Sequence, residues 1–122
     1  MVNKKKLLKK ENKKKDKEWS VAVKERFNNG CAICHRKDYL NAHHIIPREF
    51  VETRWDVLNG IALCPVHHKL GNFSFHKNGL WAINVLKKKF PEMHDYLVDK
   101  ICIIEIDRDK ETLEKLEENE TA

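Results

Sequence analysis

The residues of this chain that can do chemistry are crowded together. Six of its seven histidines, His35, His43, His44, His67, His68 and His76, fall between positions 35 and 76, and three of its four cysteines lie in or beside that stretch. Cys31-Ala32-Ile33-Cys34 is a Cys-x-x-Cys knuckle, and Cys64-Pro65-Val66-His67 repeats the spacing thirty residues later. Two pairs of soft ligands, each separated by two residues, can converge on one tetrahedral ion. The expectation is a structural Zn²⁺ site made of Cys31, Cys34, Cys64 and His67. Few large apolar residues lie between 31 and 76, so this segment cannot offset its chain entropy by burial alone, and a bound ion would supply the missing stability. Cys102, set between isoleucines, reads as a buried structural thiol.

The elements that must position these ligands follow from apolar spacing and turn signals. Trp19, Val23 and Phe27 recur every four residues before Gly30, predicting an amphipathic helix over about 18–29 that delivers the chain to Cys31. Tyr39 to Ile46 and Gly60 to Leu63 have the length of strands, joined by the longer connection Pro47 to Leu58. Pro65 suits the first position of a short helix carrying Val66 to Leu70 and stopping near Gly71. Leu80, Ile83, Leu86 and Phe90 repeat at helical spacing up to Pro91. A short helix at about 92–99, a β-branched strand at Ile101 to Ile106 and a charged helix at Glu111 to Glu118 complete the reading.

With zinc assigned, His43, His44, Asn59, His68 and His76 are left without a role. The runs Ala42-His43-His44-Ile45-Ile46-Pro47 and Asn59-Gly60-Ile61-Ala62-Leu63-Cys64-Pro65-Val66-His67-His68 resemble the HNH nuclease superfamily, in particular its zinc-containing members from phages and bacteria. His44 precedes Asn59 by 15 residues and Asn59 precedes His68 by nine, as in that family, over a segment of roughly 31–78. The resemblance implies an α+β chain with a small zinc-stapled ββα-metal core, treble-clef-like, and flanking helices. It implies His44 as the general base that activates water, His43 and His68 as ligands of one catalytic divalent ion, and Asn59 as a brace for the loop bearing the base. Asn72, one helical turn past His68, falls where relatives carry a further ligand. Many relatives have aspartate where this chain has His43, and cysteine where it has His67.

The chemistry itself asks for such a set. Phosphodiester hydrolysis needs a deprotonated water on one side of phosphorus and charge neutralisation at the leaving oxygen on the other. Successive residues of a strand point to opposite faces, so His43 and His44 can serve the two needs separately. A histidine base, with an ordinary pKa near 6.5, is largely neutral at physiological pH. Two imidazole ligands favour Mn²⁺, Co²⁺ or Ni²⁺ over Mg²⁺, which prefers oxygen.

Charge completes the picture. The chain carries +5 overall, with 35% of its residues charged, but residues 1–17 alone hold nine lysines against Glu11 and Asp16 and carry +7. This segment, with Lys4, Lys5, Lys6, Lys13, Lys14 and Lys15, reads as a basic arm, disordered or extending the next helix, that gives sequence-independent affinity for DNA. Arg48 and His76 are further candidate contacts to the nucleic acid, His76 alternatively to the metal. The organisation expected is an arm at 1–17, a nuclease domain at 18–104 and an acidic tail at 105–122. No apolar run is long enough for a membrane span, and none follows the basic N-terminus as in a secretory signal, so the expected location is cytoplasmic. No small-molecule substrate is implied, and the oligomeric state is left open. The functional expectation is a metal-dependent endonuclease. Its competitor is a zinc-dependent nucleic-acid-binding module without catalysis, which would need the knuckles and lysines but not His43, His44, Asn59 and His68. A metalloprotease lacks its His-Glu-x-x-His signature here, and a Cys-His hydrolase would need cysteines already placed in metal-type pairs.

Overall fold

The computed structural model describes residues 3–121. Three helices surround a two-stranded antiparallel hairpin: α1 (Lys4–Arg26), β1 (Asn41–His44), β2 (Gly60–Leu63), α2 (Gly79–Lys89) and α3 (Pro91–Thr121). A single 3₁₀ turn, Val57–Asn59, leads into β2, and a five-residue π-type turn, Val66–Leu70, follows it.

The hairpin pairs Ala42 with Ala62, His43 with Ile61 and His44 with Gly60. Both of its faces are covered, and every residue of β2 is buried. Ile61 and Leu63 join Cys31, Cys64, Phe75, Ala82, Val85, Leu86, Met93 and Leu97 in the main core. The opposite face receives α1, whose Trp19 and Val23 are 5% and 0% exposed. Gly60 permits that approach, because a Cβ there would run into both Val23 and Trp19. Elements this short leave little apolar surface to bury, so the hairpin depends on what grips it from either side.

α1 is longer than its apolar spacing predicts. The lysine segment is helical from Lys4, capped by the Asn3 side chain, which accepts from the Lys5 N–H at 3.0 Å. Lysine is a good helix former, and no glycine or proline separates the arm from the amphipathic turns that anchor it. The arm is therefore an extension of the helix rather than a disordered segment. At the other end Asn28 and Asn29, with φ of 56° and 55°, take the left-handed conformation that turns the chain toward Cys31. The stop falls on these two asparagines rather than on Gly30.

The C-terminal third differs most from expectation. Residues 92–99, the proposed strand Ile101 to Ile106 and the charged helix at 111–118 are all one helix, α3. Between Pro91, its first residue, and Thr121 there is neither glycine nor a second proline. Met93, Leu97 and Ile104 fall on one helical face and are buried, so the β-branched run is read out at a period of 3.6 rather than 2. Cys102 points away from that face and is exposed, not buried. In α2 the buried positions are Ala82, Val85 and Leu86, whereas Leu80 and Ile83 from the predicted stripe are exposed.

Candidate metal and nuclease site

The two ligand sets converge on opposite sides of one short segment. Cys31, Cys34, Cys64 and His67 bring four ligand atoms to within 4.8 Å of one another. Cys34 Sγ lies 3.7 Å from Cys64 Sγ, and His67 Nδ1 lies 3.3 Å from Cys64 Sγ and 3.7 Å from Cys31 Sγ. A tetrahedral zinc with Zn–S bonds of about 2.3 Å has S···S edges of about 3.8 Å and slightly shorter S···N edges, so the donors already stand at the corners such an ion requires. Burial pushes the Cys31 thiol up, but hydrogen bonds from the backbone of Cys34, Cys64 and Ile33 outweigh it, and the net effect favours thiolate. The knuckle is locked by Cys31 N–H donating to Arg36 O at 2.8 Å and by His35 in a left-handed conformation, φ 66°. These four residues can hold a metal ion such as zinc.

His43, His68 and His76 form the second cluster. Their ring centroids are 4.6–5.2 Å apart, and the Nε2 atoms of His68 and His76 are separated by 3.0 Å. With metal–nitrogen bonds of about 2.1 Å, neighbouring nitrogens around one ion stand about 3 Å apart, so this spacing suits a shared divalent ion. Burial, and then the neighbouring imidazoles, push His43 down to about 3, and burial and His76 push His68 down to about 4. Both rings are therefore neutral near pH 7, the form that ligates a metal. The adjacent histidines divide cleanly: His67 faces the cysteines, and His68 faces His43. The π-type turn ends at Leu70, Asn72 sits in an exposed bend, and the third position of the cluster is taken by His76, whose N–H donates to His68 O at 3.1 Å.

His44 points from the hairpin to the other face, as strand alternation requires. Its Nε2 is 2.8 Å from the carbonyl oxygen of Arg54. A carbonyl only accepts, so Nε2 carries the proton and Nδ1 of the neutral ring is left as the acceptor. Burial lowers the His44 pKa, opposed by its bond to Arg54. The ring is stacked on the indole of Trp19 at 3.7 Å and 4°. Asn59, fully buried, donates from Nδ2 to Ile46 O at 2.9 Å and Thr53 O at 3.1 Å, and its Oδ1 accepts from Ile46 N–H at 2.7 Å. One amide thus ties both ends of the loop that returns from His44.

His43, His44, Arg48, His68, Lys69 and His76 line an open hollow of about 500 Å³. Arg48 and Lys69 are exposed on its rim, and Lys4, Lys5, Lys6, Lys13, Lys14 and Lys15 are exposed along α1. Lys15 places its ammonium 4.7 Å from the centroid of the Trp55 ring. Sequence reasoning missed three contributors near His44: Trp19, Arg54 and Asp16. Trp19 showed only as part of an amphipathic stripe, and no local signal pairs Asp16 with Arg54 across 38 residues.

A β-hairpin followed by a helical turn, gripping a cluster of imidazoles beside a Cys₃His set, defines a small α+β metal-site core of the ββα-metal class. Residues 31–84 match the family model described as HNH endonuclease, and this segment belongs to the HNH superfamily. No curated protein and no solved structure matches the chain. Among the described residues no helix is long and apolar enough to cross a membrane.

Proposed function

We propose that the chain is a metal-dependent DNA endonuclease in which His44 activates the attacking water. The observation that carries this reading is the fixed tautomer of His44: its proton is committed to the Arg54 carbonyl, and its remaining nitrogen is free to take one from water. A base with one nitrogen pinned keeps the other in a single orientation, which is the condition for efficient proton abstraction.

On this reading His43, His68 and His76 hold one divalent ion, and that ion, when bound, neutralises charge on the phosphate and at the leaving oxygen. His44, on the opposite face of the strand, takes the proton from a water approaching from the far side of phosphorus. Asn59 keeps the loop after His44 closed, so that the Arg54 carbonyl stays in place. Arg48 and Lys69 on the rim attract and orient the phosphate, and the lysines of α1 supply nonspecific affinity for the backbone. Zinc in the Cys31, Cys34, Cys64 and His67 set is structural and anchors the chain on both sides of the hairpin.

The test is cleavage of plasmid and single-stranded DNA by wild type and His44→Ala with Mg²⁺, Mn²⁺, Co²⁺ and Ni²⁺. Wild type should cut, with Mn²⁺, Co²⁺ or Ni²⁺ at least as effective as Mg²⁺, and His44→Ala should lose at least about 100-fold in rate, the usual contribution of a positioned base. Equal cleavage by both proteins would remove His44 from the chemistry. Binding of DNA with no cleavage under any ion would make the protein a zinc-dependent binding module.

A further inference from the structure

We infer that helix α1 positions the base: Trp19 and Asp16 hold the His44 ring in its working orientation, Trp19 by stacking on it and Asp16 by fixing the loop whose carbonyl takes its proton. The inference rests on the nuclease reading of the same site and adds to it residues that lie outside the 31–84 segment.

The contacts form a closed chain. Trp19 covers one face of the His44 imidazole in a nearly parallel stack, and its own Nε1–H donates to Asp56 O at 2.7 Å. Two residues upstream of Asp56, Arg54 supplies the carbonyl that accepts from His44 Nε2. The Arg54 side chain turns back to α1, donating to Asp16 from Nε at 3.0 Å and from Nη2 at 2.7 Å, and Trp55 Nε1–H donates to the same carboxylate at 2.9 Å. The imidazole is thus held on its face by one residue of α1 and at its edge by a loop tied to another. Bidentate Arg–carboxylate pairs are geometrically specific, which suits them to setting the position of a backbone carbonyl.

Asp16 also stands out by charge. It is one of two acids among nine lysines in residues 1–17, in a segment that would approach a polyanion. Hydrogen bonding to Arg54 holds its carboxyl below the usual carboxylate range, so it stays ionised and occupied by its partners rather than repelling phosphate. The lysines and the residues that set the base therefore lie on one continuous helix, and a phosphate contact made by the arm is registered directly against His44.

Asp16→Ala and Trp19→Leu are to be compared with Trp19→Phe and wild type in the zinc-loaded protein. Misplacing a reacting group by about 1 Å costs on the order of 100-fold, so kcat should fall about 10–100-fold in the first two variants, with KM for DNA and calorimetric affinity for Mn²⁺ within about threefold. Trp19→Phe, which keeps an aromatic face, should recover most of the loss. Independently of activity, the His44 ring protons should show an upfield NMR shift from the indole that Trp19→Leu abolishes. Asp16 is partly exposed, so its variant tests the clamp even where Trp19→Leu fails to fold. Unchanged kcat in a folded Asp16→Ala protein, or the absence of the ring shift in wild type, overturns the inference and leaves the nuclease reading standing. A wild type that cuts no DNA brings down that reading and the positioning role together.

Discussion

Asn59 shows how much one side chain can do when all its hydrogen-bonding capacity is used. Its amide satisfies Ile46 N–H, Ile46 O and Thr53 O in a fully buried position. Asn59→Ala would leave those backbone groups without a partner, at roughly 1–3 kcal/mol for each group that water cannot reach. A clear fall in the thermal midpoint is expected, together with weaker cleavage, since the loop carries the Arg54 carbonyl. Asn59→Asp keeps the shape but replaces the donating amide with a carboxylate facing two carbonyls, and should be at least as damaging. Differential scanning fluorimetry of the two variants checks both, and a midpoint within a degree or two of wild type would refute the brace. The Asn-Gly dipeptide also reads as a turn, and both descriptions hold: Asn59 ends the 3₁₀ turn while its side chain closes the loop.

At the scale of elements, α1 joins two roles that sequence composition separates. Its N-terminal half presents lysines to solvent, and its C-terminal half packs on the hairpin. Replacing Lys4, Lys5, Lys6, Lys13, Lys14 and Lys15 by glutamine keeps the helix formers while removing the charge. Binding to DNA should weaken, and the slope of log affinity against log salt should become shallower by up to about 0.9 for each phosphate no longer neutralised. Fluorescence anisotropy across a salt series measures the slope, and an unchanged value removes the lysines from binding. This substitution is a cleaner test than deleting residues 2–17, which would also remove Asp16 and its bonds to Arg54 and Trp55. α3 makes a related point. Beyond Ile104 every described side chain is exposed, and Arg108 ties the helix to the loop between β1 and β2 through Glu52 at 3.1 Å and the Phe50 ring at 4.5 Å.

For the whole molecule, the Cys₃His set adjoins the apolar core, while the triad of imidazoles lines the open hollow beside it. Cys31 and Cys64 are 1% exposed and part of the main apolar cluster, so a zinc held there would be continuous with it. Removing the metal with a strong chelator should unfold the hairpin region, seen as loss of ellipticity and of a cooperative melt, with recovery on adding Zn²⁺. A chelated protein with an unchanged melt would exclude a structural ion. Acid should act in the same direction. His43 and His68 have folded-state pKa values pushed to about 3 and about 4 from an ordinary 6.5, so folding favours their neutral form. Above pH 6.5 that preference costs nothing. As pH falls from 6.5 toward 4 the unfolded chain binds protons that the folded chain does not, and stability declines. Melts of the protein freed of divalent ions in the second site should show the midpoint falling across that window, and a flat profile from pH 7 to pH 4 would contradict the burial of these rings.

The convergence of Cys31, Cys34, Cys64 and His67 was legible in the sequence because the spacing a tetrahedral ion requires is local: Cys-x-x-Cys and Cys-x-x-His each span one turn, whatever surrounds them. The hairpin, the proline-started turn after Cys64 and the position of α2 were legible for the same local reason. What only the tertiary structure decided was everything set by burial or by distant pairing. The arm is helical because α1 continues into turns that pack on Gly60. Ile101 to Ile106 joins a helix because Met93, Leu97 and Ile104 share one buried face. Cys102 faces solvent because that same face leaves it outside, and His76 joins His43 and His68 because the chain beyond Leu70 folds back, with Phe75 N–H donating to His67 O and His76 N–H to His68 O. The His44 ring stacks on Trp19, and the loop that carries Arg54 and Trp55 is bonded to Asp16, partners that lie 25 to 39 positions apart in the chain. Local periodicity records which residues can share an element, and only the folded chain shows which of their faces meets a partner.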